Sequence, residues 1–223
     1  RSAPQPTDPE PVVVVGLAVR AGRDGGVEAF AGRALGGRPG LEVDRRIDAV
    51  RIALGRFRIP PRELEDMLLQ QSTLLEAAAD ALADARQATA ANPRAGVVVG
   101  LNLDLNTTNF QLRWWLTARA PVWNAEQGWG LSEAELDAWI AEACDAVQPA
   151  LTANRTMGSL GGLVASRVAR EFRFGGPSFT VSSDEDSGLD ALRIGVGWLA
   201  RGELDLVLAG AVDLPCESRA ALA

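Results

Sequence analysis

A cluster of hydroxyl and carboxylate side chains stands in the last quarter of this sequence, where Ser182 and Ser183 precede Glu185 and Asp186. Each serine lies three residues before its carboxylate, and this S-x-x-E/D spacing is typical of a capping box at a helix start. Carboxylates in a first helical turn are also favoured by the helix dipole, by roughly 0.3 to 1 kcal/mol. The cluster therefore predicts a capped helix start, at which Glu185 is either a cap residue or a catalytic acid.

The composition of the chain removes most other catalytic groups. All 22 basic residues are arginine, and lysine, histidine and tyrosine do not occur. A phosphate-loop lysine, a pyridoxal-binding lysine, a Ser-His-Asp triad and a histidine-ligated metal are therefore excluded within these 223 residues. Only carboxylate, serine, threonine and cysteine chemistry remains.

The two cysteines are far apart and form no CxxC pair, so the sequence supports neither a zinc knuckle nor a dithiol redox site. Cys144 shares the apolar side of a predicted helix with Ile140, Ala143 and Val147, which predicts a packed core thiol. Cys216 follows a proline and has no neighbouring base. We therefore expect no metal site and no bound cofactor from these residues.

The elements that must position Glu185 are recognisable on both sides of it. Residues 178–182, SFTVS, are β-branched and aromatic and predict a short strand. Apolar residues then recur at helical spacing until Gly202, which predicts a helix that ends there. These residues are Leu189, Leu192, Val196 and Leu199. Residues 204–212 are an apolar run typical of a buried parallel strand, so the unit is predicted to be βαβ.

Strand and helix patterns also alternate through the rest of the chain. Residues 12–17 predict a buried strand, and residues 27–35 predict a short helix. Residues 63–86 predict the longest helix, with one apolar stripe, and residues 96–101 predict another strand. Residues 157–172 predict a helix with small residues along one side. This order of elements indicates a parallel sheet.

Residues 102–151 hold five of the six tryptophans and interrupt that alternation. Their first part predicts one helix, and Ser132 with Glu135 forms a capping box that predicts the start of a second helix. The segment is therefore predicted to be a helical insertion.

The text GPSFTVSSDEDSGLDAL, followed by GELDLVLAGAV, resembles the β-ketoacyl synthase family of the thiolase fold. That family has the signature GPSFTVDTACSSSLVAL, followed by GECDLALAGGV. Aligned without gaps, Glu185 falls on the reactive cysteine, and Ser187 and Gly188 fall on the serines after it. FRIPPRELEDMLLQQ, GLNLDLNTTNFQLRWW and LTANRTMGSLGGLVASRVAREF are similar to the ketosynthase or chain-length-factor-like regions of polyunsaturated fatty acid synthases and polyketide synthases.

The resemblance implies an α/β, thiolase-like fold. Residues 12–223 would be the first βαβ half of its αβαβα sandwich, with a mainly parallel mixed sheet and the insertion at about 102–151. The proline-rich residues 1–11 are interpreted as a linker or cloning remnant. A complete family member is roughly twice as long, so we expect a companion second half, from the same polypeptide or another chain.

The resemblance also implies a chemistry that Glu185 cannot perform. In the family the cysteine accepts an acyl chain from the phosphopantetheine arm of an acyl carrier protein, and two histidines of the second half assist condensation. A carboxylate is a poor acceptor, so the favoured interpretation is a non-condensing, chain-length-factor-like partner of an active ketosynthase. The alternative is a decarboxylase, since some relatives carry glutamine here. A glutamate can donate a hydrogen bond only when protonated, which a helix N-terminus opposes.

Further residue roles follow from the same resemblance. Phe110, Trp114 and Trp115 lie where the family builds its dimer interface and acyl pocket, so they are candidates to shape or block an acyl tunnel. Large aromatics are also common in plain core packing. The strand from Phe179 to Ser182 is expected to pair antiparallel with its twin across a dimer axis, in a homodimer or with a ketosynthase partner.

The net charge of -7 and the pI near 4.8 argue against nucleic acid and anionic membranes as partners. An acidic carrier protein would need a local arginine patch, for which Arg167, Arg170, Arg173, Arg45 and Arg46 are candidates, although arginines are commonly just solvated. No apolar run approaches the ~18 residues of a membrane span, and a cytoplasmic location is expected.

Overall fold

The computed structural model describes residues 11–21, 26–36, 47, 49–87, 91–102 and 109–214. Their helices are α1 Val27–Leu35, α2 Pro61–Glu65, α3 Leu69–Asp84, α4 Asn109–Glu126, α5 Glu133–Val147, α6 Ala153–Ser159, α7 Val164–Phe172 and α8 Ser187–Ala200. Their strands are β1 Ala95–Leu101, β2 Ser178–Val181 and β3 Leu206–Val212, and short 3-10 turns cover Gly161–Leu163 and Asp184–Asp186. The α/β class predicted from the sequence is confirmed.

The described strands form a parallel sheet in the order β2-β1-β3. The predicted unit of β2, α8 and β3 is present, but β1 lies between its two strands because α8 crosses over β1. Every residue of β1 is buried, as expected for the central strand of a parallel sheet. In the described ranges no strand is antiparallel, so the mixed character expected of the sheet has no counterpart there.

The hydrophobic core lies between the sheet and helices α3 and α7. Val97 and Val99 of β1, Val164 and Val168 of α7 and Leu75 of α3 are at most 2% exposed. Helix α8 covers the opposite face of the sheet and packs on β1 and β3. Each face of the central strand therefore has a helical cover, which is the layer arrangement that positions the end of β2 and the start of α8.

The strand expected at residues 12–17 is not present. Val13 and Val14 are 69% and 79% exposed, and the segment forms no strand. Polar contacts hold it to α3 instead, since the Leu17 N–H donates to Asp84 at 2.9 Å and Arg20 pairs with Asp80. The β-branched pattern indicates a preference for extended structure, but a strand also needs a hydrogen-bonded partner, and this segment pairs with none of the described strands.

Two helices predicted as continuous are interrupted, and the two interruptions pack on each other. The helix expected over 63–86 divides into α2 and α3, and the helix expected over 157–172 divides into α6 and α7. The Leu68 N–H and the Gln71 side-chain amide both donate to the Gly158 carbonyl, at 3.2 Å and 2.6 Å. Tertiary hydrogen bonds thus replace helical ones at both breaks, so the sequence periodicity did not reveal them.

Several boundaries follow the sequence prediction closely. Helix α1 and strands β1 and β3 lie where they were expected, and α8 ends in a turn at Gly202, whose φ of 66° suits glycine. The Ser132–Glu135 capping box at the start of α5 is formed. Among the described residues, no helix is long and apolar enough to cross a membrane.

Candidate functional site

The chain makes a tight elbow between the end of β2 at Val181 and the start of α8 at Ser187. Asp184 has a φ of 49°, a left-handed conformation that aspartate tolerates better than most residues. The Ser187 hydroxyl accepts a hydrogen bond from the Ser183 N–H at 2.9 Å and donates one to the Asp184 carbonyl at 2.6 Å. One buried serine, 5% exposed, thus closes the turn from the helix side.

Neither capping box predicted for this elbow is formed. Ser183 precedes the 3-10 turn and Asp186 precedes α8, but neither side chain accepts a hydrogen bond from the backbone of the element that follows. The Ser182 hydroxyl and Glu185 are not hydrogen-bonded to each other. The left-handed Asp184 is the physical reason, because it turns the chain before the helix begins and separates each serine from its carboxylate partner. Ser187, inside the helix, instead bonds the Ser183 N–H and the Asp184 carbonyl ahead of it.

Polar residues from two other elements stand behind the elbow. The Gln70 side chain of α3, 3% exposed, donates to the Asn102 carbonyl at 3.2 Å, and Asn102 follows directly after β1. The Asn102 side-chain oxygen lies 3.5 Å from the Ser187 hydroxyl, at the limit of a hydrogen bond. Gly100 lets α8 approach, since a Cβ there would lie 2.5 Å from the Ser187 carbonyl oxygen. The elbow is therefore held by α3, β1 and α8 together.

Glu185 lies at the outer surface of this elbow. Its side chain is exposed and, within the part of the chain that the structure describes, makes no hydrogen bond or ion pair. It stands at the carboxyl end of the parallel strands, the edge where α/β sheets bind ligands. An ionised carboxylate here can accept hydrogen bonds but cannot act as a thiolate nucleophile.

A cavity of about 250 Å³ lies on the helical insertion, between α4 and α5. Its lining is formed by Phe110, Arg113, Trp114, Thr117, Cys144, Ala150 and Leu151. Phe110 is buried, whereas the indole of Trp114 is 68% exposed at the rim. Of the three aromatics proposed for an acyl tunnel, these two line the cavity. Trp115 does not, and instead contacts Trp123 with ring centroids 5.2 Å apart.

The thiol of Cys144 faces this cavity and is packed, as the sequence predicted. It is 5% exposed and its Sγ donates to the Arg113 carbonyl at 3.4 Å. The Arg113 guanidinium in turn donates to Asp145 at 2.8 Å. The polar part of the cavity wall is thus occupied by internal contacts, and the rest of the wall is apolar.

Strand β2 is an edge of the sheet in the described ranges, because it pairs with β1 on one side only. Phe179 is 39% exposed and its ring lies edge-on to Trp198, with centroids 5.5 Å apart. Ser182 is exposed at the end of this strand. An unpaired edge is what a two-fold strand contact requires, and that contact stays a prediction.

The arginines suggested for carrier docking that the structure describes, Arg167, Arg170 and Arg173, do not form one patch near Glu185. Arg167 is largely buried and pairs with Glu63, so it is unsuited to surface docking. Arg170 and Arg173 are exposed, but the Arg173 carbonyl accepts from the Asn92 N–H at the amino edge of the sheet. Since β1 has 7 residues at ~3.3 Å each, that edge is about 20 Å from the elbow.

Some predicted features fall outside the described residues. They are residues 1–10, Arg45, Arg46 and Cys216. Conversely, Gln70 and Asn102 were not predicted as site residues, because a polar residue inside a helix or after a strand carries no spacing signal. Ser187 did carry a sequence signal, since it stands at the end of the serine and acid cluster. It was interpreted only as a match to a serine of the family signature.

Comparison with known proteins shows which family has this sequence pattern. Residues 9–223 match the family model described as Beta-ketoacyl synthase, N-terminal domain. A polyunsaturated fatty acid synthase polypeptide of a Thraustochytrium species is 30% identical over 169 residues, which are 75% of this chain and 8% of that protein. The chain therefore spans a small part of the curated relative that it matches.

Solved structures share the fold at low identity. The PfaC ketosynthase-chain length factor has a TM-score of 0.72 at 19% identity over 91% of this chain and 24% of its own. The ishigamide ketosynthase/chain length factor has a TM-score of 0.64 at 18% identity over 94% and 49%. The match of the family model to nearly the whole chain, with the elbow of β2 and α8 in its place, shows that this chain belongs to the β-ketoacyl synthase family and corresponds to its N-terminal domain.

Proposed function

We propose that this domain is a non-condensing, chain-length-factor-like member of a fatty acid or polyketide synthase, which pairs with an active ketosynthase and shapes the acyl chain. One observation carries the proposal: the nucleophile elbow keeps its shape while position 185 holds an exposed carboxylate in place of the family thiol. An intact elbow without a nucleophile is what a partner domain needs, because it preserves the fold and gives up acyl transfer. The likeness to the polyunsaturated fatty acid synthase and to two ketosynthase-chain length factor structures supports this choice.

The cavity on the insertion supports a role in chain length. Its exposed lining is mostly apolar, its volume of about 250 Å³ is small, and a large indole stands at its rim. A hydrocarbon tail gains roughly 25 cal/mol for each Å² of apolar surface it buries. Such a cavity would accept the end of an acyl chain and stop its growth when the wall is reached.

The test is product analysis of the intact synthase, with its ketosynthase partner and carrier protein. Trp114→Ala removes an indole from the cavity and should lengthen the products, detected by mass spectrometry of the released acyl chains. Trp115→Ala is the matched control, because this neighbouring indole packs on Trp123 outside the cavity. Unchanged products from Trp114→Ala, or equal shifts from both variants, would argue against the chain-length role.

A decarboxylase is the second candidate, and it is favoured by the exposure of the Glu185 carboxylate. The carboxylate makes no contact among the described residues that would prevent it from meeting a carrier-bound malonyl group. Such a role would require a protonated Glu185 that donates a hydrogen bond to the developing enolate, as a glutamine amide could.

Release of CO2 from malonyl-carrier protein by the intact parent protein tests this candidate. Under it, Glu185→Gln keeps or raises the rate and Glu185→Ala lowers it by a factor of about 10² or more, the usual worth of one oxyanion donor. If neither the parent nor any variant releases CO2 above background, the decarboxylase is excluded. The chain-length proposal does not depend on that result.

The proposed partners follow from two surfaces that the described residues leave open. The free edge of β2 would pair with the equivalent strand of a ketosynthase or of a twin, and an apolar stripe on α8 would face the companion second half of the fold. Substrates would arrive on the phosphopantetheine arm of an acyl carrier protein, so the domain itself would bind no cofactor. Arg170 and Arg173 are exposed, and a role for them in docking the carrier protein stays a proposal.

A further inference from the structure

We propose that Ser187 is a positioning residue for the side chain at position 185. It would hold the elbow in the conformation that presents this side chain outward at the carboxyl edge of the sheet. The inference concerns the same elbow as the proposed function, but it rests on backbone contacts and not on the acyl cavity. Failure of the chain-length test and failure of this one are therefore separate results.

The contacts of Ser187 fix both residues that precede position 185. Its hydroxyl accepts from the Ser183 N–H at 2.9 Å and donates to the Asp184 carbonyl at 2.6 Å. Together the two bonds bracket the residue with a φ of 49°, so they hold Asp184 in a conformation that it would otherwise leave. The direction of the next side chain, Glu185, follows from that conformation.

Ser187 is itself held in place by the layers beneath it. It is 5% exposed, its carbonyl group lies against Gly100 of β1, and its hydroxyl reaches toward Asn102. Asn102 is bound by Gln70 of α3 through its carbonyl. Because Ser187 contacts both the sheet and the turn, it fixes where the turn lies relative to the sheet. Glu185 has no contact of its own to hold it among the residues that the structure describes.

Spin labelling of the intact parent protein tests the inference. Glu185→Cys receives a nitroxide, and the spectrum of the labelled protein without this substitution is subtracted to remove the native cysteines. With Ser187 present, the label should report restricted motion. Adding Ser187→Ala should shorten its rotational correlation time at least twofold, because the turn loses both hydrogen bonds.

A label at Arg193→Cys is the matched control. This side chain is 79% exposed on the same helix, six residues beyond Ser187, and its contact is an exposed pair with Asp190. Its spectrum should not change when Ser187→Ala is introduced. An unchanged spectrum at position 185 overturns the proposal, and so does equal loosening at both positions, which would mean that the whole helix frays.

A measurement on the unsubstituted protein keeps the proposal testable if Ser187→Ala does not fold. The Ser183 N–H, which precedes the helix and would otherwise exchange freely, should show hydrogen exchange at least tenfold slower than an unstructured peptide. Exchange at the unstructured rate would show that the bond to Ser187 is not maintained in solution, and it would overturn the proposal.

Discussion

At residue 185 a carboxylate faces solvent between two further acids, Asp184 and Asp186. All three lie at the start of α8, where the partial positive charge of the helix stabilises them. The sequence pattern identified this benefit correctly but assigned the hydrogen bonds to the wrong serines. At this scale the elbow depends on Ser187, and the chemistry depends on what Glu185 can accept or donate.

The Ser132–Glu135 capping box gives a prediction about single side chains. Hydrogen bonds from the Ser132 hydroxyl, and then from its backbone N–H, hold the pKa of Glu135 below its usual value. Because the folded pKa is depressed, the Glu135 contribution to stability is present above the unfolded pKa of about 4.3 and is lost as pH falls through the folded value.

Ser132→Ala should therefore lower the free energy of unfolding by about 1 kcal/mol at neutral pH, with a smaller loss near pH 3. Denaturant unfolding at the two pH values measures the difference. Ser159→Ala serves as a control, since the Ser159 hydroxyl only bonds the carbonyl one turn back and caps no helix start. A loss that is the same at both pH values would mean that the carboxylate is not part of the cap.

At the scale of elements, the packing of α8 on β1 decides where the elbow stands. Helix and strand approach so closely at Gly100 that a Cβ would lie 2.5 Å from the Ser187 carbonyl oxygen. A glycine in the interior of a buried strand usually marks such an approach. The elbow is thus set by backbone contact between two elements as well as by side-chain hydrogen bonds.

Gly100→Ala should destabilise the domain by roughly 1 to 3 kcal/mol, because the added methyl forces α8 away from β1. Gly210→Ala in β3 is the matched control, since a Cβ there meets nothing within 4 Å. Thermal unfolding of the two variants gives the comparison. Equal melting temperatures would contradict the close contact.

At the scale of the whole molecule, the sheet is covered unevenly. Within the described ranges, α3 and α7 bury one face, while α8 is the helix that covers the other and turns an apolar stripe outward. Leu189, Leu192 and Val196 form this stripe and are 61%, 50% and 40% exposed. Apolar residues at i, i+3 and i+7 on a helix are normally buried, which agrees with the companion half that we propose.

Leu189→Gln with Leu192→Gln should destabilise the intact parent protein by roughly 1.5 to 3 kcal/mol for each leucine, if the companion half buries them. The same pair in the 223-residue chain alone should change stability little and reduce self-association, measured by sedimentation. Arg193→Ala, on the same helix and 79% exposed, controls for changes in the helix itself. A parent protein whose stability is unaffected would show that the stripe stays in solvent.

The sequence by itself determined the local elements around the site, because their signals are local. The β-branched run of β2, the spacing of α8, the glycine at its end and the buried run of β3 each depend on residues within one element. The family resemblance added the correspondence of Glu185 with the reactive cysteine. Phe110 and Trp114 were named from it, and the structure places both at one cavity.

Only the tertiary structure decided which residues meet. The order β2-β1-β3, the breaks near Met67 and Leu160, and the exposed course of residues 12–17 all depend on partners distant in sequence. The same is true of the group formed by Gln70, Asn102 and Ser187, which come from α3, the end of β1 and the start of α8. Periodicity and capping patterns report the preference of a segment for a conformation, whereas these features arise from hydrogen bonds and close contacts between segments that the chain brings together only on folding.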